Sequence, residues 1–76
     1  GAISVRRSVL IYLFRCVETL PSRILMGEVM SLIEGFIDWL IYITSNDSDE
    51  LCRSLSGSVL SLLKKKMNID SNGENF

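Results

Sequence analysis

Residues 24–43 read ILMGEVMSLIEGFIDWLIYI, a stretch of twenty residues with only three charges, all of them acidic. As a helix this stretch would be about 30 Å long, which matches the thickness of a bilayer core. At about 100° per residue, however, Glu28, Glu34 and Asp38 fall into one narrow strip. Each acid would be costly near the middle of a bilayer, whereas one wet strip suits a helix with one side in water. The pattern therefore predicts a helix covered on most of its sides and argues against a membrane span.

Two further helices are predicted, one on each side of this stretch. Apolar residues cover an arc of about 200° over residues 3–19, which is typical of a helix. Pro21 disfavours helical backbone at the residue before it and suits the first turn of a new helix. Asp47, with Glu50 three residues later, indicates a capping box at the start of the third helix. Short connections between the three helices imply antiparallel neighbours.

The sequence thus predicts an all-α fold, either an antiparallel three-helix bundle or a helical array. Residues 1–67 are expected to form a single helical domain, with residues 24–43 in its central helix. The polar residues 68–76 are expected to form a flexible tail. The predicted helices cover residues 3–19, 21–44 and 48–67.

The apolar content is large for so short a chain. Of the 76 residues, 47% are hydrophobic, and the mean hydropathy is +0.30. A domain of this size buries only about 60% of the surface that its unfolded chain exposes. The first two predicted helices have apolar arcs wider than two neighbouring helices would cover. We therefore expect surplus apolar surface, and with it self-association or docking to a partner.

Large side chains in exposed positions indicate where a partner would bind. Ile11, Ile24 and Tyr42 fall on the polar sides of their helices. Aromatic residues supply large contact areas, and Trp and Tyr are enriched among interface hot spots. The predicted partner interface comprises Ile11, Tyr12, Ile24, Phe36, Trp39 and Tyr42.

Residues suited to catalysis or metal binding are sparse. The chain has no histidine, its two cysteines are 36 positions apart, and no glycine-rich phosphate loop is present. Glu34 and Asp38 could share a helix face, but no second segment supplies an enclosing pocket for them. The sequence therefore predicts a protein that is not an enzyme and has no cofactor or metal. Cys16 and Cys52 are expected to be buried free thiols in a reducing, intracellular compartment, cytoplasmic or nuclear.

The charge pattern disfavours nucleic acid as a partner. The net charge is −1 and the pI is about 5.2, so no overall positive field exists. The basic clusters Arg6-Arg7 and Lys64–Lys66 would lie at opposite ends if the first and third helices are parallel neighbours. The lysines would suit the dipole in the last turn of the third helix.

Three functions follow from these patterns. The leading hypothesis is a non-catalytic interaction or oligomerisation module that buries surplus faces of the first two helices against a copy of itself or a helical partner. The alternative is a fragment of a larger helical scaffold of the HEAT or armadillo kind, in which apolar helix pairs with a Pro-marked turn occur. The second alternative is a weak nucleic-acid-binding helical domain.

Overall fold

The computed structural model describes the backbone of residues 2–75 and the side chains of residues 2–67. Within that part the fold is all-α, as predicted, and has no strand. The predicted flexible tail, residues 68–76, falls where the side chains lie outside the described residues. The helices are α1 (Ala2–Thr19), α2 (Ser22–Leu25), α3 (Met30–Asn46) and α4 (Glu50–Asn75).

The single helix predicted over residues 21–44 is wrong, because turns over residues 26–29 divide it into α2 and α3. In these turns the backbone N–H of Gly27 bonds to the carbonyl of Ile24, and the N–H of Met30 bonds to that of Gly27, both at 3.2 Å. Such bonds to the third residue back tighten a helix. A Cβ on Gly27 would lie 3.2 Å from the carbonyl oxygen of Arg23. Glycine therefore allows the tightened turn that interrupts the helix.

The central helix is α4, and the prediction that residues 24–43 hold that place is wrong. Both α1 and α3 pack closely along α4, while α1 and α3 approach each other less closely. The buried side of α4 carries two small residues, Cys52 and Ser56, neither of which is exposed at all. Small side chains let neighbouring helices come close, and the Ser56 hydroxyl donates a hydrogen bond of 2.6 Å to the carbonyl of Leu40. A polar residue thus lies inside the core with its hydroxyl satisfied.

The start of α4 also differs from the predicted capping box. The carboxylate of Asp49 accepts a hydrogen bond of 3.0 Å from the backbone N–H of Cys52, so Asp49 caps the helix and Asp47 does not. Asp47 ends α3, and its carboxylate accepts a bond of 2.8 Å from the N–H of Asp49. The capping position was therefore predicted two residues too early.

The core is small and lies where α1, α2 and α3 meet α4. Every buried side-chain nitrogen or oxygen among the described residues has a hydrogen-bond partner. Cys52 is buried and Cys16 is half-buried, and both are free thiols. The buried hydrophobic residues are Leu10, Val17, Leu25, Ile33, Leu40, Ile43, Cys52, Val59 and Leu63.

Candidate interaction surface

Two ion pairs fix the rotation of α1 about its own axis. The Arg6 guanidinium donates to both carboxylate oxygens of Asp47, at 2.6 and 3.1 Å. Arg7 donates in the same two-pronged way to Asp49, at 2.9 and 2.6 Å. Consecutive helical residues point about 100° apart. Because Asp47 ends α3 and Asp49 caps α4, Arg6 turns toward the C-terminal end of α3 and Arg7 toward the start of α4.

At its other end, α1 is held by a lysine from α4. The Lys66 ammonium donates to the carbonyl oxygens of Glu18 and Leu20, at 2.9 and 2.6 Å. These carbonyls lie at the C-terminus of α1, where helical carbonyls lack partners and positive charge is favourable. Since α4 continues to Asn75, Lys66 does not serve the last turn of its own helix, contrary to our prediction. Contacts at both ends show that α1 and α4 run parallel.

The pKa values of the ion-pair cluster, Arg6, Arg7, Asp47 and Asp49, show that its charges are stabilised. Hydrogen bonding from Arg6 lowers the pKa of Asp47, with a further contribution from the backbone N–H of Asp49. Hydrogen bonding from Arg7 is the main cause of the lowered pKa of Asp49. Burial raises the pKa of the neighbouring Cys52 thiol, which keeps it protonated and poorly nucleophilic. The cluster therefore joins three helices and offers no activated group for catalysis.

One side of α1 exposes an apolar strip to solvent. Val5 and Tyr12 are 63% and 68% exposed, and Val9 lies between them on the same side. Around the axis of α1, Arg7 lies about 100° from Arg6, in the direction of α4. The three residues of the strip lie about 60–120° from Arg6 in the other direction. The strip therefore lies beyond the side that meets α3 and points away from α4.

A second apolar strip lies on α3. Thr44 marks the side of α3 that faces α4, since its methyl carbon would lie 3.8 Å from a Cβ on Gly57. Asp47, which meets Arg6 of α1, lies about 60° away around the helix. Continuing in the same sense, Phe36, Leu32 and Trp39 follow about 20–80° beyond Asp47. These three residues therefore lie beyond the side that meets α1, again away from α4.

The two strips lie on the same side of the fold but at different levels, because the contacts of Arg7 with Asp49 and of Ser56 with Leu40 place the α1 strip nearer the α3–α4 connection than the α3 strip. On each helix the strip lies further around from α4 than the residue that marks the other helix, Arg6 on α1 and Asp47 on α3. Because α1 and α3 are antiparallel, this places both strips on the same side of the pair, away from α4. Leu32 is 68% exposed and Phe36 42% exposed, while Trp39 is partly buried against the core. We name the two strips together the α1/α3 face; it comprises Val5, Val9, Tyr12, Leu32, Phe36 and Trp39.

The predicted interface residues are divided by the structure. Tyr12, Phe36 and Trp39 belong to the α1/α3 face, Tyr12 to its strip on α1 and the other two to its strip on α3. Tyr42 is exposed and lies at its margin, about 60° from Trp39 toward the acidic strip. Ile11 is exposed about 100° away from Tyr12 around α1, so it does not join the face. Ile24 is also exposed, but it lies on the short helix α2.

Three members of the face were missed by the sequence reasoning. Val5, Val9 and Leu32 belong to the wide apolar arcs of the first two predicted helices, for which the sequence predicts surplus surface without indicating that these three residues form part of it. The spacing of Val5, Val9 and Tyr12, four and then three residues, was the signal that could have found them. It marks a strip on one side of a helix, but only the positions of α3 and α4 show that this side stays open.

Other features of the described surface give no sign of a chemical site. Within residues 2–67, no group of three or more Cys, Asp or Glu side chains is placed to hold a metal ion. No helix in the described part of the chain has the length and apolar character that crossing a membrane requires. Arg6 and Arg7 are paired with aspartates at one end of α1, and Lys66 contacts the other end. The two basic clusters therefore do not form one positive surface.

Comparison with protein-family models, with curated proteins and with solved structures finds no match to this chain.

Proposed function

We propose that this chain is a non-catalytic helical interaction or oligomerisation module, which docks its α1/α3 face against a copy of itself or a helical partner. The observation that carries the proposal is the exposure of large apolar side chains on the side of α1 and α3 that faces away from α4, with Tyr12 and Leu32 each 68% exposed. Single exposed apolar residues are ordinary on a monomer. Several large apolar residues exposed on one side of a fold are more typical of a binding surface.

The magnitudes favour a surface of several residues acting together. Complete burial of one aliphatic or aromatic side chain contributes about 1.5–3 kcal/mol. Association itself costs about 4–15 kcal/mol in lost translational and rotational freedom. One residue such as Tyr12 cannot offset that cost, so several residues of the α1/α3 face would have to be buried together. Docking of two more helices on this face would complete a four-helix arrangement.

The acidic strip of α3 lies outside the proposed contact. Glu34 and Asp38 are exposed on the side of α3 that turns away from the core. Charged groups at the margin of an interface remain hydrated and contribute more to orientation and association rate than to affinity. The apolar residues would therefore supply the affinity, and the acidic strip would set how a partner is aligned.

The test compares two substitutions of the same kind on different surfaces. Tyr12→Asp puts a charge in the α1/α3 face, while Leu51→Asp puts one on the outer side of α4, where Leu51 is 44% exposed. We expect Tyr12→Asp to reduce both the mass measured by light scattering over a concentration series and the fluorescence of a dye that binds apolar surface. Leu51→Asp should leave both close to the unsubstituted chain, and circular dichroism checks that each variant is folded.

A compact monomer at high micromolar concentration that binds no dye would contradict the proposal. Equal losses from Tyr12→Asp and Leu51→Asp would contradict it as well, because the effect would then not belong to the α1/α3 face.

A further inference from the structure

We propose that α1 is a hinged strap, which swings away from α4 as a unit at its junction with α2 while α2, α3 and α4 stay packed together. The packing between the helices shows which of them can leave. Among the described helices α1 packs closely on α4 only, and α2 and α3 each pack on α4 as well. Opening of α1 therefore breaks one extended contact between helices and leaves the others in place.

The junction between α1 and α2 has the features of a hinge. α1 ends at Thr19 and α2 begins at Ser22, so only Leu20 and Pro21 connect them. Pro21 has an extended backbone, with ψ at 148°, and its carbonyl accepts the first hydrogen bonds of α2. Because proline has no N–H, it donates no backbone bond to α1. Rotation about the bond between Cα and the carbonyl carbon of Leu20 therefore redirects α1 and breaks no backbone hydrogen bond of either helix.

Fewer buried side chains hold α1 in place than hold α3. Of the 18 residues of α1 only Leu10 and Val17 are buried. α3 has three buried residues, and Ser56 of α4 donates a buried hydrogen bond to the carbonyl of Leu40. Segments with few buried contacts open at a lower free-energy cost than the unfolding of the whole chain. We therefore expect α1 to open while the rest of the fold stays closed.

Charged contacts fasten the strap at its two ends. At its start, Arg6 and Arg7 pair with Asp47 and Asp49. At its end, Lys66 donates to two carbonyls at the C-terminus of α1. Contacts between exposed charges are weak and are screened by salt, and Arg7 is 44% exposed in its pair. Because water reaches all these groups once α1 leaves, opening leaves no unpaired charge in the core.

Cys52 lies under the strap and provides a chemical signal of its opening. Its side chain is fully buried. Burial is the main cause that raises the pKa of the thiol, while the Asp49 carboxylate raises this pKa further and Arg6 lowers it. Because Arg6 belongs to α1, the thiol lies where the first turns of α1 cover α4. Opening exposes this thiol and the apolar side of α4 that Leu10 and Val17 cover, a surface separate from the α1/α3 face.

Timed alkylation of Cys52 by iodoacetamide in increasing urea tests the strap, with the full chain at low micromolar concentration. Cys16→Ser leaves Cys52 as the only thiol, and mass spectrometry follows its modification. When closing is faster than alkylation, the rate is proportional to the population of open molecules. The dependence of that rate on urea then measures the surface that opening exposes. Well below the unfolding transition, the logarithm of the rate should rise with urea at no more than about half the slope that global unfolding gives, because only α1 and the side of α4 beneath it become exposed.

Substitutions at the two fastened ends should make opening more frequent. In the double variant Arg7→Gln with Lys66→Gln, alkylation of Cys52 without urea should become about five- to tenfold faster, because a charged contact is lost at each end of α1. The matched control is Arg15→Gln with Lys65→Gln, which removes the same charges from the same two helices at exposed positions. The control should change the rate by less than about twofold.

A shallow urea slope, together with faster alkylation in the first double variant alone, supports the hinged strap. A slope equal to that of global unfolding at every urea concentration overturns it, because Cys52 would then become exposed only when the whole chain unfolds. Equal rates in the two double variants overturn it as well, since the contacts at the ends of α1 would then not control opening. The Tyr12→Asp comparison is independent of these results, because it measures binding by the α1/α3 face.

Discussion

The two sides of the α1–α3 pair differ in how they are covered. On the side toward α4, Leu10 and Leu40 are almost fully buried, and the Ser56 hydroxyl bonds to a backbone carbonyl. On the side away from α4, Tyr12 and Leu32 are more than half exposed. Both sides carry apolar residues of similar size. The covered side is therefore distinguished by the helix that packs on it, whereas no helix in the described part of the chain packs on the open side.

This difference follows from the position of α4. The helix packs on one side of α1 and α3 and so forms the core there, and it leaves their other side exposed. The small side chains at Cys52 and Ser56 let α4 approach both neighbours closely. Ion pairs at one end of α1 and Lys66 at the other then hold it parallel to α4. Once α4 occupies one side of the pair, no described helix remains to cover the other.

The largest expected effect comes from truncating two leucines of the same helix. Leu40 is 1% exposed on the covered side of α3, and Leu32 is 68% exposed on the open side. Leu40→Ala should lower the free energy of unfolding by about 2–5 kcal/mol, because it leaves a cavity in the core. Leu32→Ala should change it by no more than about 0.5 kcal/mol in the monomer. Urea unfolding at low micromolar concentration measures both, and equal losses would mean that the two sides are alike.

How much of this fold could be predicted is clearest on α4. Helical periodicity predicted its existence, and its apolar residues Cys52, Val59 and Leu63 are buried, whereas Leu51 is exposed. Its central place could not be predicted, because Ser56 counts as polar in any pattern. Burial of Ser56 is favourable only because its hydroxyl donates a hydrogen bond to the carbonyl of Leu40. Such a long-range bond leaves no periodic signal.

Hydrophobic periodicity also cannot predict that the second helix is divided, or which side of the fold the candidate surface occupies. A lone glycine lowers helix stability by about 1 kcal/mol, so Gly27 alone does not decide between a continuous helix and a turn. Large aromatic residues marked Tyr12, Phe36 and Trp39 as candidates. Their assembly on one side depends on the rotation of α1, which Arg6 and Arg7 fix through aspartates about forty residues away.

The next largest effect should appear when acid protonates Asp47 and Asp49, because this removes the ion pairs that join α1 to the end of α3 and the start of α4. The pKa values of Asp47 and Asp49 are lowered in the folded chain, below the ordinary carboxyl value of about 3.9. Below that value the unfolded chain takes up protons that the folded chain does not, so stability falls as pH falls. The stabilisation is fully present above about pH 5 and is lost progressively below about pH 4.

Urea unfolding of the original chain and of the double variant Asp47→Asn with Asp49→Asn, between pH 7 and pH 2, measures this contribution. The variant should be less stable at pH 7 and should show a flatter acid dependence. The matched control, Asp38→Asn on the exposed acidic strip, should keep the original dependence. An unchanged acid slope in the double variant would show that these pairs do not hold α1 in place.

A smaller effect should distinguish the two free thiols by their positions. Cys52 is buried on the covered side, and burial raises its pKa, so it should resist alkylation as long as the chain is folded and α1 is in place. Cys16 is half-buried and lies on the same side of α1 as Val9 and Tyr12, so it should react first. If a second copy covers this side, alkylation of Cys16 should slow several-fold as protein concentration rises. Mass spectrometry after timed alkylation follows both sites, and a Cys16 rate independent of concentration would argue that the face stays open.

The smallest effect should come from a glycine near the open side. Gly35 is exposed within α3, and a Cβ built on it meets no atom within 4 Å, whereas a Cβ on Gly27 would lie 3.2 Å from the carbonyl oxygen of Arg23. Gly35→Ala should raise the free energy of unfolding by about 0.5–1 kcal/mol, because alanine loses less backbone entropy in a helix. Gly27→Ala, the matched control, should give no gain, since the tightened turn leaves little room for its methyl group. Urea unfolding measures the free energy of unfolding of both variants. If Gly35→Ala raises it where the chain is monomeric but lowers it where the chain is dimeric, Gly35 lies within the contact. The α1/α3 face would then extend toward the acidic strip.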